Sequence, residues 1–120
     1  MERDNMKRLG IGLVATLVFL SLTFAAQKDE TYSGEIMDSQ CALLGGHEKM
    51  ILKGEDLKTC TVRCVGIGGK YALFDTAKRM RYQLDDQKKA EQFAGMKVTV
   101  TGTYNAATRT IRVTDIKAAS

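Results

Sequence analysis

The sequence predicts a mainly β fold with a few short helices. In the second half of the chain, apolar residues alternate with threonine and charged residues, which is typical of strands with one buried face. Short polar segments separate these strands at the spacing of hairpin turns. One long insertion, residues 38–69, interrupts the series near its start, and it contains all three cysteines and the single histidine of the chain.

The first three strands are predicted from short apolar runs. Residues 32–37 form the first strand, and a hairpin follows the insertion with strands at 71–75 and 80–84. Met80, Tyr82 and Leu84 are two residues apart, so we expect them to share one face of the third strand. The segment 76–79 between the two strands is polar and short, and we expect it to be the turn.

A short helix is predicted between the third and fourth strands. Asp86 is a suitable N-cap, and Gly95 is a suitable terminator. Ala90, Phe93 and Ala94 would lie on one side of the helix, while the lysine, glutamate and glutamine side chains face water.

The last two strands form a second hairpin, at residues 96–104 and 109–116. Five strands with a helix between the third and fourth is the order of an OB-fold, so the prediction is a small five-stranded OB-like barrel. The expected buried positions are Val98, Val100, Ile111 and Val113, and the expected exposed positions are Thr99, Thr101 and Thr103.

Inside the insertion, a helix that carries two cysteines is predicted. Asp56 can cap it and Gly66 can end it. Apolar and small residues recur at three- and four-residue spacing, which places Cys60 and Cys64 on the same helical face. The residues that recur in this way are Leu57, Cys60, Thr61, Cys64 and Val65.

The N-terminal residues 1–26 predict a signal peptide. Basic residues precede an uncharged apolar run at 9–24, and two alanines follow it, so we expect cleavage to leave a mature chain that begins at Ala26 or Gln27. Residues 27–120 then form one domain, which is periplasmic or secreted and has no stable association with the membrane. The alternative is an uncleaved N-terminal anchor.

Three motifs resemble a group of small exported bacterial proteins of uncharacterised function. They are Gly-x-Ile-x-Asp-Ser-x-Cys at residues 34–41, Cys-x3-Cys at 60–64 and Gly-x-Tyr-x-Leu at 69–73. The resemblance covers nearly all of the predicted mature chain. It implies a family of exported domains and brings no activity with it.

The cysteines and the histidine indicate a metal site for zinc or copper(I). Cys60 and Cys64 would chelate from the helix, and Cys41 and His47 would complete the site from the preceding segment. Thiolates with an imidazole suit both ions. Residues four apart on a helix have β-carbons about 5 to 6 Å apart, which is too far for an undistorted disulfide but not for two ligands of one ion.

A structural disulfide is the alternative. Cys41 could pair with Cys60 or Cys64, which would stabilise an exported domain by about 3 kcal/mol and leave one cysteine buried. The two states could also alternate, since the disulfide could be the oxidised form of the metal site. His47 taken alone, between glycines and charged residues, has the surroundings of a solvated loop residue.

Neither catalysis nor nucleic-acid binding is expected. A Cys41 or Cys64 nucleophile with His47 as base has no recognisable local signature, and thiol redox activity usually uses Cys-x2-Cys, so a redox protein is the weaker alternative. The formal net charge is only +4, and the strand tyrosines that could stack on bases share faces with core residues. We expect a binding domain whose partner, a metal ion or a protein, the sequence leaves open.

Overall fold

Five strands and three short helices make up the computed structural model, which describes residues 28–120. The predicted signal peptide lies outside these residues. Within residues 28–120, none of the helices is long and apolar enough to cross a membrane. The elements are β1 (Glu30–Asp38), α1 (Ser39–Leu44), α2 (Leu57–Gly66), β2 (Tyr71–Asp75), β3 (Met80–Leu84), α3 (Gln87–Glu91), β4 (Lys97–Asn105) and β5 (Thr110–Ala118).

The five strands form one sheet that closes into a ring. Their order around the ring is β1-β2-β3-β5-β4, and β4 pairs with β1 to close it. Every pair is antiparallel except β3 with β5, which run parallel. The prediction of a mainly β domain with five strands and short helices is confirmed.

The inside of the ring is the main hydrophobic core, called here the inner core. It contains Val98, Val100 and Ile111 at 0 to 1% exposure, as the alternation predicts. Val113 and the threonines of β4 are half-buried, so the prediction of a buried Val113 and exposed threonines is wrong in degree. Because β4 has a paired strand on both sides, cross-strand neighbours partly cover its outward side chains.

A bulge in β5 changes which residues face inward. The register with β4 shifts between Thr101, which lies opposite Asp115, and Gly102, which lies opposite Val113. The extra residue moves the next inward position to Ile116, which is 5% exposed and belongs to the inner core. Simple alternation along the sequence cannot place such a shift.

The helix α3 packs against the inner core through Ala90, and it ends at Glu91, so the predicted stop at Gly95 is four residues late. The Asp86 carboxylate caps it by accepting a hydrogen bond from the Lys89 backbone N–H at 2.9 Å, and Ala90 and Ala94 are buried in the inner core. Gly95 follows with φ of 74°, and a β-carbon there would lie 2.5 Å from the backbone nitrogen of Lys58 at the start of α2. Only glycine allows both this backbone angle and this close approach.

The insertion between β1 and β2 spans residues 39–70 and carries α1 and α2. Asp56 caps α2 as predicted, since its carboxylate accepts from the Thr59 backbone N–H at 2.7 Å. The predicted stop at Gly66 is slightly early. Gly66 is still helical, and the chain leaves the helix at Ile67 and Gly68, where φ reaches 120°.

Candidate metal centre

A second hydrophobic core lies under the insertion, on the opposite face of β1 and β2. Side chains alternate along a strand, so while Ile36 and Leu73 enter the inner core, their neighbours Met37 and Ala72 face the insertion. We call this second cluster the insertion core. Its buried members are Met37, Cys41, Ala42, Cys60, Cys64, Ala72 and Phe74.

The helix α1 places Cys41 in the insertion core. The buried Asp38 carboxylate caps this helix through one oxygen, Oδ2, which accepts from the backbone N–H groups of Gln40 at 2.9 Å and Cys41 at 3.2 Å. The chain leaves the helix at Gly45 with φ of 86°, and the Gly46 N–H closes the end by donating to the Cys41 carbonyl at 3.0 Å. Hydrogen bonds at both ends of this six-residue helix therefore fix the backbone of Cys41.

The helix α2 supplies the other two thiols. Cys60 and Cys64 are one turn apart, and both are buried at 0 and 1% exposure. Thr61 is also fully buried, and its hydroxyl is satisfied by donating to the Leu57 carbonyl at 2.8 Å. The predicted shared face of Cys60 and Cys64 is confirmed.

The three cysteines meet at one point. The Sγ atoms of Cys41, Cys60 and Cys64 all lie within 4.8 Å of one another, and all three thiols are free. Two sulfurs bound at about 2.3 Å to one tetrahedral zinc ion lie nearly 4 Å apart, so this spacing suits a shared ion. The cluster can hold a metal ion, and no disulfide joins its members in the described structure.

Burial keeps the Cys41 and Cys60 thiols protonated in the metal-free protein. It raises the pKa of Cys41 to about 12, with smaller contributions from the neighbouring cysteines and the Asp38 carboxylate. Burial likewise raises the pKa of Cys60 to about 11, and the next contributions come from Cys64 and the Glu55 carboxylate. A metal ion must therefore displace protons to bind here.

An ion pair fixes the segment between α1 and α2. Arg63 on α2 donates from Nε to Glu55 Oε2 at 2.9 Å and from Nη2 to Glu55 Oε1 at 3.0 Å, and a third bond runs from Nη2 to the Met50 carbonyl at 2.8 Å. The Glu55 carboxylate also accepts from the Leu52 N–H at 3.2 Å and is near enough to the Cys60 thiol to raise its pKa. The pair links the insertion loop to one of the three thiols.

His47 is buried, so its interpretation as a solvated loop residue is wrong. It is 7% exposed, and its Nε2 lies 2.9 Å from Oε1 of Glu35 on β1. Its other nitrogen, Nδ1, is buried and has no hydrogen-bond partner among the described residues. His47 lies outside the group of three close thiols, and its role as a fourth ligand stays a prediction.

Sequence reasoning missed the residues that support the thiols. Asp38 is fully buried, and its Oδ1 has no partner among residues 28–120 although Oδ2 caps α1. Asp38 was recognisable as an N-cap, since an aspartate before a serine is a common helix start. The pair of Glu55 and Arg63 has no such signal, because their separation of eight residues spans the helix boundary.

No family model matches the chain, and neither a curated protein nor a solved structure matches it.

Proposed function

We propose that this chain is an exported OB-type binding domain whose insertion holds one soft metal ion, zinc or copper(I), through Cys41, Cys60 and Cys64. In this proposal the sheet ring is the scaffold, and the insertion carries the chemistry. Export and membership of the group of small exported bacterial proteins are part of the proposal. They rest on the predicted signal peptide and on the three sequence motifs.

The observation that carries the proposal is the convergence of three buried thiols from two helices, with mutual Sγ distances of at most 4.8 Å. A single buried cysteine can simply fill space. Ions that bind thiolates require several thiols close together, and here all three cysteines of the chain meet at one point. Met37 and the half-buried Met50 add thioether side chains to the same core.

Two properties of the site bear on the identity of the ion, and they favour different metals. Three thiolates leave a net charge of −1 with Zn²⁺ and −2 with Cu⁺, and buried charge is costly, which favours zinc. Structural zinc sites, however, have four protein ligands, whereas the close group here has three. Zinc would need a fourth ligand, for which His47 Nδ1 is the candidate, while copper(I) would not.

The burial of the thiols favours metal binding over thiol catalysis. Reactive cysteines sit in partly exposed, electropositive sites that lower the pKa of the thiol. Here burial raises the pKa of Cys41 and of Cys60, and both thiols are 0% exposed. Such thiols are poor nucleophiles in the metal-free protein.

The proposal is tested by metal titration of the reduced protein in competition with chelators of known affinity. We expect one equivalent of zinc or copper(I) to bind more tightly than about micromolar, because a preorganised thiolate site readily exceeds that affinity. Cys41→Ser, Cys60→Ser and Cys64→Ser should each lower the affinity at least about hundredfold.

Ala42→Ser is the matched control, since Ala42 is buried in the insertion core beside Cys41 and carries no ligand atom. It adds a buried hydroxyl, as the cysteine variants do, and should leave metal affinity within about threefold. A reduced protein that binds neither ion at micromolar concentration would overturn the proposal. A disulfide module would instead lose stability on reduction and show one dispensable cysteine.

A further inference from the structure

Two hairpin turns of the sheet ring have the same construction. Asp75 precedes one four-residue turn and Asn105 the other, and each side chain accepts from the backbone N–H groups two and three residues ahead. Strand pairing resumes after the turns, at Met80 and Thr110. The last residue of each turn is an arginine, Arg79 or Arg109.

Both arginines occupy a backbone conformation that favours glycine. Arg79 has φ of 52° and Arg109 has φ of 53°, and they are the only non-glycine residues with positive φ in the described part of the chain. An L-residue in this region is strained, because its β-carbon crowds the backbone. Residues kept in such conformations concentrate at functional sites, where the side chain is needed.

The two arginines line the same cleft. Its volume is about 560 Å³, within the range of small-molecule sites, and a third arginine, Arg81, projects into it from β3. The cleft lining contains no acidic residue, and within residues 28–120 none of the three guanidinium groups pairs with a carboxylate. The cleft therefore concentrates positive charge that the described protein does not neutralise.

Another part of the cleft lining is apolar. It is formed by the end of α1 and by β2, and it includes Leu43 and Leu44, which are 63 and 47% exposed. Ala42 and Phe74 join them from the insertion core, and Met80, 41% exposed, lies beside Arg79. Positively charged guanidinium groups and exposed apolar side chains thus line the same cleft.

We propose that this cleft binds a small amphipathic anion, a carboxylate head on an apolar chain. The planar guanidinium groups would hold the head through paired charge-assisted hydrogen bonds. The leucines and Met80 would cover the apolar chain, which explains why they are exposed in its absence. This proposal does not depend on the metal site, because no thiol lines the cleft.

Decanoate is the probe, measured by calorimetric titration of the full mature chain. Acetate tests the head without the chain, and decanol tests the chain without the charge. We expect decanoate to bind and both partial probes to bind at least about tenfold more weakly, since each lacks one half of the recognition. A short oligothymidylate tests nucleic acid, and its binding in place of decanoate would overturn the proposal.

Arg79→Gly and Arg109→Gly provide the decisive variants. Each removes a guanidinium and supplies the residue that the backbone angle favours, so melting temperature should stay level or rise while decanoate affinity falls about tenfold. Arg81→Gln should lower the affinity similarly. Arg112→Gln is the control, because Arg112 is exposed on β5 and does not line the cleft.

Loss of binding without loss of stability is a result that a purely structural arginine could not give. If wild type and the Arg79→Gly, Arg109→Gly double variant bind decanoate equally, the arginines are not the site and the proposal fails. It fails equally if wild type binds no decanoate.

Discussion

Arg63 donates a hydrogen bond to each carboxylate oxygen of Glu55, from Nε to Oε2 at 2.9 Å and from Nη2 to Oε1 at 3.0 Å. The pair joins the helix that carries two of the three thiols to the loop that precedes it. The Glu55 side chain is 8% exposed, so the contact is largely shielded from water. A bidentate ion pair that is shielded from water contributes to stability, whereas most ion pairs on a protein surface contribute little.

The pair predicts a specific loss of stability in acid. Hydrogen bonds from Arg63 lower the pKa of Glu55 from 4.5 to about 2. Because the folded state binds this proton less readily than the unfolded state, the stabilisation is complete above about pH 4.5 and disappears as the pH falls toward 2. Urea unfolding of wild type and Glu55→Gln measures this effect. At pH 7 the free energy of unfolding should be clearly lower for Glu55→Gln than for wild type, and at pH 2 the two values should be nearly equal.

Asp115→Asn is the control for this experiment, because the Asp115 carboxylate is 3.9 Å from Lys117 Nζ on an exposed surface. Its unfolding free energy should change little at either pH. A Glu55→Gln variant as stable as wild type at pH 7 would show that the pair contributes nothing.

Metal binding should release protons, since Cys41 and Cys60 are protonated in the metal-free protein at neutral pH. We expect affinity to rise from pH 6 to pH 8 and about two or more protons to leave per ion bound. Calorimetry in buffers of different ionisation enthalpy measures this number from the slope of the observed heat. A slope of zero would mean that the ion does not bind these thiols.

Gly69 should prove essential because of the space it leaves for Asp38. A β-carbon at Gly69 would overlap the buried Asp38 carboxylate, which caps α1 and positions Cys41. Gly69→Ala should lower the unfolding free energy by about 2 kcal/mol or more and weaken metal binding with it.

Gly66→Ala is the matched comparison, three residues earlier in the chain. Gly66 is helical, and apart from its chain neighbours and the backbone of α2 itself, no atom of the described residues lies within 4 Å of the position that an alanine methyl group would take there. Alanine should therefore stabilise α2 by up to about 1 kcal/mol. Thermal melts of the two variants should therefore move in opposite directions. Equal shifts would show that contact with Asp38 does not matter.

How much the sequence predicts depends on the range of the interactions involved. Alternation and capping are local, and they correctly predict the strands, the caps Asp56 and Asp86, and the shared face of Cys60 and Cys64. The approach of Cys41 to that face depends on α1 and on packing against β1 and β2, which no local pattern encodes.

The same distinction explains the errors. His47 stands among glycines and charged residues, yet it is buried and lies 2.9 Å from Glu35, twelve residues earlier on β1. The bulge after Val113 and the left-handed arginines in the turns depend on how strands pair, not on residue type alone. Long-range pairing therefore decides the parts that a periodic pattern leaves open.

The strand β4 offers a test of the inner core. Val100 is 0% exposed, and Val100→Asp would bury an unpaired charge at a cost of more than about 4 kcal/mol, which is a large part of the roughly 5 to 15 kcal/mol that stabilises an ordinary domain. The neighbouring Thr99 is half-buried on the other face and lies opposite Lys117, so Thr99→Asp should cost less than about 1 kcal/mol. Circular dichroism and thermal melts distinguish the two, and equal tolerance would contradict the assigned faces.

His47 should distinguish the two candidate ions. Its Nε2 is committed to Glu35, which leaves Nδ1 as the atom able to complete a four-ligand zinc site. We expect His47→Ala to lower zinc affinity about tenfold, less than any cysteine variant, and to leave copper(I) affinity nearly unchanged, because three thiolates suffice for that ion. Glu35→Gln controls for loss of the ion pair while keeping the imidazole. If His47→Ala lowers the melting temperature equally with and without zinc and leaves zinc affinity intact, His47 supports the fold and is not a ligand.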